Sequence, residues 1–316
     1  MKIRVLDADA FGADTPLTEL SLLGEVTVYP STAGEELSDH IGDADVVLFN
    51  KVKITGEAMR AAPRLKLLCV FATGYDNVDL AAAREYGIAV CNVPGYSTDS
   101  VVLFTMTKVL ALLSHLKEYM RHVESGEYTA AGKANILTPT YHEMRGLTYG
   151  IVGYGNIGSA VGRVAGALGA RVIVHKRTPV EGVRCVDLDT LCRESDIISL
   201  HCPLNESTRG MIGKDEIARM KDGVILVNEA RGAVVDEAAV AAAVLCGKIG
   251  GFGCDVYSAE PFPAAHPYTK LLGHDRVILT PHAAWGALEA RVRALHMIMD
   301  NIRAFYAGKT ENRVDI

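Results

Sequence analysis

No two of the seven cysteines form a Cys-x-x-Cys pair and their number is odd, which fits reduced, mostly buried thiols better than a disulfide framework and offers no zinc-type ligand spacing. Positive charge is scarce as well. The 32 lysines and arginines face 38 aspartates and glutamates, and a net charge of −6 gives nucleic acid no basic field to bind. No stretch reaches the ~18 uninterrupted apolar residues of a membrane span, and the opening MKIRVLDADAF lacks a basic region followed by a long apolar run. The expectation is a cytoplasmic protein with no metal, no membrane and no nucleic-acid partner.

What the chain does have is enough apolar matter for two cores: 316 residues, 49% of them hydrophobic, exceed the usual size of one. Apolar bursts alternate with helix-like stretches from the start, in IRVL, EVTVY, VVLF, LKLLCVF and IAVC. Short apolar strands separated by helices imply a parallel sheet covered on both faces, and five such units predict a flavodoxin-like first domain. Thr32 with Glu35 three residues on reads as a capping box opening the helix toward Ile41.

Apolar residues recur at helical spacing over residues 99–124 (Val102, Met106, Val109, Leu110, Leu113), which predicts one long connecting helix. A loop rich in Gly, Thr and Pro follows at residues 126–139. Six further strands are expected near residues 149–152, 172–175, 197–201, 224–228, 251–255 and 277–279, a Rossmann series. One amphipathic helix, residues 287–306, has no strand after it. It is expected to return to the first domain. The reading is therefore α/β, with two doubly wound parallel-sheet domains: a substrate domain of residues 1–98 completed by 286–316, and an inserted Rossmann domain of 99–285. The cleft between them is the expected active site.

The sequence GYGNIG at residues 153–158 follows the strand YGIV and opens a helix, the setting of a dinucleotide cradle. Gly153 permits the tight turn, Gly155 lets backbone approach a pyrophosphate and Gly158 lets helix and strand pack closely, while the helix N-terminus attracts the anion. A carboxylate at the end of the second strand would bind the ribose of NAD. This chain has His175, Lys176, Arg177 and Thr178 there, a turn suited to a 2′-phosphate, so NADP(H) is expected to be preferred, with NAD(H) possible.

Three later motifs supply a cation, a carboxylate and an imidazole: NEARG with Arg231, DVYSAEP with Asp255 and Glu260, and TPHAAW with His282. A guanidinium can clamp a carboxylate, and an imidazole titrating near working pH can deliver a proton to a nascent alkoxide. Glu260 would orient that ring. Downstream of a dinucleotide cradle, the set points to a dehydrogenase.

The chain resembles, nearly end to end, the D-isomer-specific 2-hydroxyacid dehydrogenase family, through FATGYDNVDL, CNVPGYSTDSV, GYGNIG, SDIISLHCPLNEST, NEARG, DVYSAEP and TPHAAW. The segments ATGYDNVD, VPGYST and HAAW are most similar to its glycerate dehydrogenase and hydroxypyruvate (glyoxylate) reductase branch. The resemblance implies that Arg231 binds substrate, that Glu260 and His282 form the proton-transfer pair, and that Asp255 contacts the nicotinamide. It implies further that Thr73, Gly74 and Tyr96 bind substrate. Thr105, Asn156, Ile157, Cys202, Pro203, Thr208 and Ala230 then stand at cofactor positions, beside the glycines and the Lys176 to Thr178 turn. A homodimer built through the helix after Asp99 is also implied. Two departures bear on specificity: Leu103 stands where relatives often carry Gln or Glu, and Glu229 replaces a small or neutral residue. Formate-oxidising relatives pair the histidine with glutamine, so Glu260 argues against them. Phosphoglycerate oxidation and a cofactor-responsive corepressor remain the alternative readings.

Overall fold

The structure, a computed structural model, describes residues 1–316. It contains two compact units, Met1–Ser97 with Gly286–Ile316, and Thr98–Trp285.

In the first unit, β1 (Lys2–Val5), β2 (Glu25–Val28), β3 (Val46–Phe49), β4 (Leu67–Val70) and β5 (Ala89–Cys91) form one sheet. Its order is β2-β1-β3-β4-β5 with every pair parallel, which is the flavodoxin-like arrangement. β3 and β4 are buried along their whole length, the physical reason they read as unbroken apolar runs. The helix Leu288–Tyr306 packs against β4. The tail beyond it closes the open edge of β5: Val314 donates to the Val90 carbonyl at 2.9 Å, and the Asp315 carboxylate accepts the Val90 N–H at 2.8 Å.

One local expectation fails here. Glu36, not Glu35, caps the backbone N–H of Ala33 at 2.9 Å, and Thr32 turns away to donate to the Leu6 carbonyl. Thr32 serves the sheet edge because a 3₁₀ turn, Gly34–Glu36, precedes the helix Leu37–Ile41 and shifts its start.

The second unit has seven strands rather than six: β6 (Thr148–Val152), β7 (Arg171–His175), β8 (Arg184–Cys185), β9 (Ile197–Leu200), β10 (Val224–Asn228), β11 (Ile249–Cys254) and β12 (Val277–Leu279). The order β12-β11-β10-β9-β6-β7-β8 is all parallel, a Rossmann sheet with one strand added. β8 is only two residues at an exposed edge, too short to leave an apolar run.

The expected single helix over 99–124 is two, Thr98–Leu113 and Leu116–Glu124, bent by 65°. His115 adopts a left-handed backbone (φ 54°) at the break, which side-chain periodicity does not reveal. The loop after it holds a short helix, Glu127–Ala131. Helix Thr98–Leu113 packs Met106, Val109 and Leu112 on Tyr149, Ile151, Ile225 and Val227 of the sheet. No single helix is long and apolar enough to cross a membrane.

Asp315 tests the tail. Burial works to raise its carboxyl, but Arg313 and the Val90 N–H outweigh that and hold it below the usual carboxylate range. Asp315→Ala is expected to cost about 1–3 kcal/mol of stability at neutral pH. Because the folded-state value is lowered, the gap from wild type is complete above about pH 4 and closes as the pH falls through that lowered value. Urea midpoints across this range check it; a gap that widens in acid would refute the account.

Candidate active site

The cradle leaves the carboxyl end of β6. Gly153 has φ 89°, and a Cβ there would lie 2.6 Å from Cys202 N and 2.7 Å from His201 C, so the loop and the end of β9 touch backbone to backbone. A Cβ on Gly158 would stand 2.1 Å from the Gly153 carbonyl, which seats the helix Asn156–Ala167 on its strand. Beside Gly155, by contrast, a Cβ would meet nothing within 4 Å. The helix has no side-chain cap, whereas Asp187 and Asp236 cap two other helices of the same unit. Open space above Gly155 and uncapped amides suit a pyrophosphate. Asn156 is exposed and Ile157 half-buried at the same helix start.

At the end of β7, Lys176, Arg177 and Thr178 are all exposed, and His175 is held by its Nδ1 against the Val186 carbonyl at 3.2 Å. No carboxylate occupies residues 175–178.

Arg231 follows β10 in extended backbone (φ −148°, ψ 147°). Its turn is clamped by Asn228, a fully buried residue that the sequence reading passed over. Asn228 Nδ2 donates to the Arg231 carbonyl and its Oδ1 accepts the Ala230 N–H, both at 3.0 Å. The guanidinium also donates to the Ala230 carbonyl at 2.9 Å, so Ala230 is engaged by both neighbours.

Asp255 and Glu260 follow β11, and His282 follows β12. Glu260 Oε2 lies 2.6 Å from His282 Nδ1, with both side chains partly exposed. A carboxylate only accepts, so Nδ1 carries the hydrogen in this contact. The other oxygen, Oε1, accepts the Tyr257 N–H at 3.0 Å. His282 itself has a left-handed backbone (φ 53°). The buried Asp255 carboxylate holds the turn around it, accepting the N–H groups of Ala283 at 3.0 Å and Ala284 at 2.8 Å, and the Thr280 hydroxyl.

The Glu260 loop has a further anchor that no motif announced. Glu237, in the first turn of the helix Glu237–Leu245, accepts from the Ser258 N–H and from His266 Nε2, both at 2.9 Å, and from the Ser258 hydroxyl. His266 Nδ1 accepts from the Tyr268 N–H, which fixes the ring as an Nε2 donor. Gly232 completes the join: a Cβ there would sit 2.0 Å from Tyr257 C, so the Arg231 turn and the Glu260 loop cross in direct backbone contact.

The remaining expected contacts are less open. Thr105 is fully buried and donates to the Val101 carbonyl at 2.7 Å. Cys202 is buried against Gly153, and Thr208 is turned inward, donating to the Pro203 carbonyl at 2.7 Å and accepting the Asn205 N–H at 2.9 Å. Pro203 is exposed on the same loop. Within the first unit, Thr73 and Gly74 lie just beyond β4. The Thr73 hydroxyl donates to the Val93 carbonyl at 3.1 Å and its carbonyl accepts from Asn92 Nδ2 at 2.8 Å, while the Tyr96 carbonyl accepts from Arg293.

Residues 106–284 match the family model described as D-isomer specific 2-hydroxyacid dehydrogenase, NAD binding domain. The chain is 37% identical to a hydroxypyruvate reductase of Blautia hydrogenotrophica and 35% identical to a glycerate dehydrogenase of Methylorubrum extorquens, in both cases over 100% of each chain. Among solved structures it is similar to the D-lactate dehydrogenase of Aquifex aeolicus complexed with NAD and lactic acid. That match has a TM-score of 0.87 at 29% identity, covering 100% of this chain and 99% of the other.

The Gly232 contact yields a direct test. Gly232→Ala drives a methyl group into the backbone of Tyr257 and Ser258, and overpacking of that kind is expected to cost roughly 3 kcal/mol. Chemical denaturation measures it, and an unchanged midpoint would mean the two loops are not in contact.

Proposed function

The chain belongs to the D-isomer specific 2-hydroxyacid dehydrogenase family of NAD(P)-dependent oxidoreductases, and on that premise we propose that it reduces a small 2-keto acid, hydroxypyruvate or glyoxylate, with NADPH as the preferred reductant. The observation that carries the proposal is the 2.6 Å contact of Glu260 with His282 Nδ1. It commits one ring nitrogen to the carboxylate and leaves proton delivery to Nε2.

When bound, the nicotinamide supplies the hydride that adds to the keto carbon. The electron pair of the carbonyl bond moves onto oxygen, and His282 Nε2 gives its proton there, so the product is the 2-hydroxy acid. Glu260 orients the ring and stabilises the imidazolium that forms in the reverse direction. Arg231 pairs with the substrate's carboxylate and carbonyl oxygens, each charge-assisted bond contributing about 1.5–3 kcal/mol. Thr73, Gly74 and Tyr96 are the further substrate contacts proposed from the family resemblance. Gly153, Gly155, Gly158 and the helix start at Asn156 and Ile157 would hold the pyrophosphate, and Asp255 and Ala230 the nicotinamide end. For Thr105, Cys202, Pro203 and Thr208 the support is resemblance alone.

The preference for NADPH rests on the exposed Lys176, Arg177 and Thr178 and on the absence of a carboxylate at residues 175–178. A cytoplasmic homodimer joined through the helices of residues 98–124 accompanies this reading. It is supported by the exposed apolar side chains of Leu110, Leu116, Met120 and Val123.

A panel of 2-keto acids assayed with NADPH and NADH tests the activity. His282→Ala is expected to lower kcat by roughly 10² to 10⁴, and near-wild-type turnover would remove the proton-donor role. Arg177→Glu is expected to raise KM for NADPH at least about tenfold with little change for NADH. Equal losses with both cofactors would end the phosphate-clamp assignment.

A further inference from the structure

Beneath this site lies an ion pair that the proposed reaction does not use. Lys108, on the helix Thr98–Leu113, and Glu229, directly after β10, meet with Nζ 2.6 Å from Oε1, their side chains 2% and 1% exposed. The same ammonium stands 3.9 Å from Asp255 Oδ1. Gly253 of β11 makes room for it, since a Cβ there would come within 3.1 Å of the Lys108 stem. Glu229 Oε2 is buried without a hydrogen-bond partner. Burial pushes the Glu229 carboxyl up to about 7 even with the ammonium beside it.

A buried ion pair is weak as a stabilising device, because desolvation of both ions cancels most of their attraction and well-packed apolar residues do as well. Its electrostatic effect on neighbours is not weak, because charges in a dry interior are little screened. Counting one ammonium and two carboxylates, the cluster carries a single net negative charge. The oxidised nicotinamide ring is a cation and the reduced ring is neutral, so the two forms of the cofactor respond differently to that charge.

We propose that Lys108 and Glu229 set the charge presented to the nicotinamide through Asp255, and thereby fix the relative affinity of the site for oxidised and reduced cofactor. The inference rests on the reading that Asp255 faces the nicotinamide. Glu229→Gln removes one negative charge and leaves Lys108 beside Asp255, so the oxidised form must weaken relative to the reduced form. Lys108→Met removes the ammonium that holds Glu229 ionised, so that buried carboxyl takes up a proton and the net charge of the cluster stays at minus one. The double variant restores the original net charge and must restore the ratio.

The test is calorimetric titration of the full-length protein with NADP⁺ and NADPH, and with NAD⁺ and NADH, at pH 8, where Glu229 is ionised. The ratio of Kd for the oxidised form to Kd for the reduced form is expected to rise at least about fivefold in Glu229→Gln. It is expected to lie within about twofold of wild type in Lys108→Met and in the double variant, both of which keep the net charge of the cluster. A purely structural pair would weaken both forms alike, so an unchanged ratio in folded Glu229→Gln overturns the inference. Should Lys108→Met fail to fold, Glu229→Gln and the double variant decide the matter between them. A wild-type protein that binds none of the four nucleotides would instead overturn the cofactor reading, and this inference with it.

Discussion

The arrangement around His282 depends on one buried carboxylate. His282 occupies left-handed backbone, where a side chain other than glycine costs about 1–3 kcal/mol unless its surroundings over-determine it. Asp255 supplies that determination through the Ala283 and Ala284 amides and the Thr280 hydroxyl. Charge-assisted bonds of this sort contribute about 1.5–3 kcal/mol each, enough to offset the strain. Lys108 in turn stands beside Asp255. The orientation of the imidazole is therefore set from beneath, by groups that do not themselves transfer a proton.

The Glu260 side is held by a separate mechanism. Its loop is fixed at Ser258 by Glu237, at Tyr257 by Glu260 itself and by the close crossing over Gly232. The Tyr257 hydroxyl also donates to the Thr280 carbonyl at 2.8 Å, which ties this loop to the strand end that leads into His282. Acid and imidazole are thus supported by different elements that meet at two points. A 2.6 Å contact between side chains 22 residues apart needs both supports, because either loop alone would leave the pair to diffuse within its own flexibility.

How much of this was legible in the sequence follows from what leaves a local trace. β3, β4, β6 and β10 are buried along their whole length, so apolar runs announced them. Gly153, Gly158, Arg231, Glu260 and His282 sit in short motifs whose chemistry is local. β8 left no trace, since two residues at an edge need no apolar pattern, and the bend at His115 depends on a backbone angle rather than on a residue type. Lys108 reads as a surface position on an amphipathic helix. It is buried because its partner, Glu229, lies 121 residues away, and no window short enough to show helical periodicity contains both. Glu229 was visible as an oddity, but the reason for it was not. Glu237 was missed for the same cause, since Ser258 and His266 lie 21 and 29 residues away, whereas Asn228 bonds only backbone groups of its own turn, which a sequence does not mark as unsatisfied.

The convergence of residues remote in the chain has a simpler origin than their spacing suggests. Arg231, Glu260 and His282 follow β10, β11 and β12, which are neighbours in the sheet and parallel, so their carboxyl ends lie side by side at intervals of about 4.8 Å. Each crossover must carry the chain back through a helix before the next strand begins, which places tens of residues between groups that are adjacent in space. The order of strands also divides the labour along the sheet edge. The reversal of strand order falls between β6 and β9, where a dinucleotide binds in folds of this kind. The cationic turn after β7 lies on one side of it, and Arg231, Glu260 and His282 lie on the other. Parallel strands joined by crossovers of one hand bring all of these strand ends to the same edge of the sheet. The chemistry of the ends is then the only part left for individual side chains to specify.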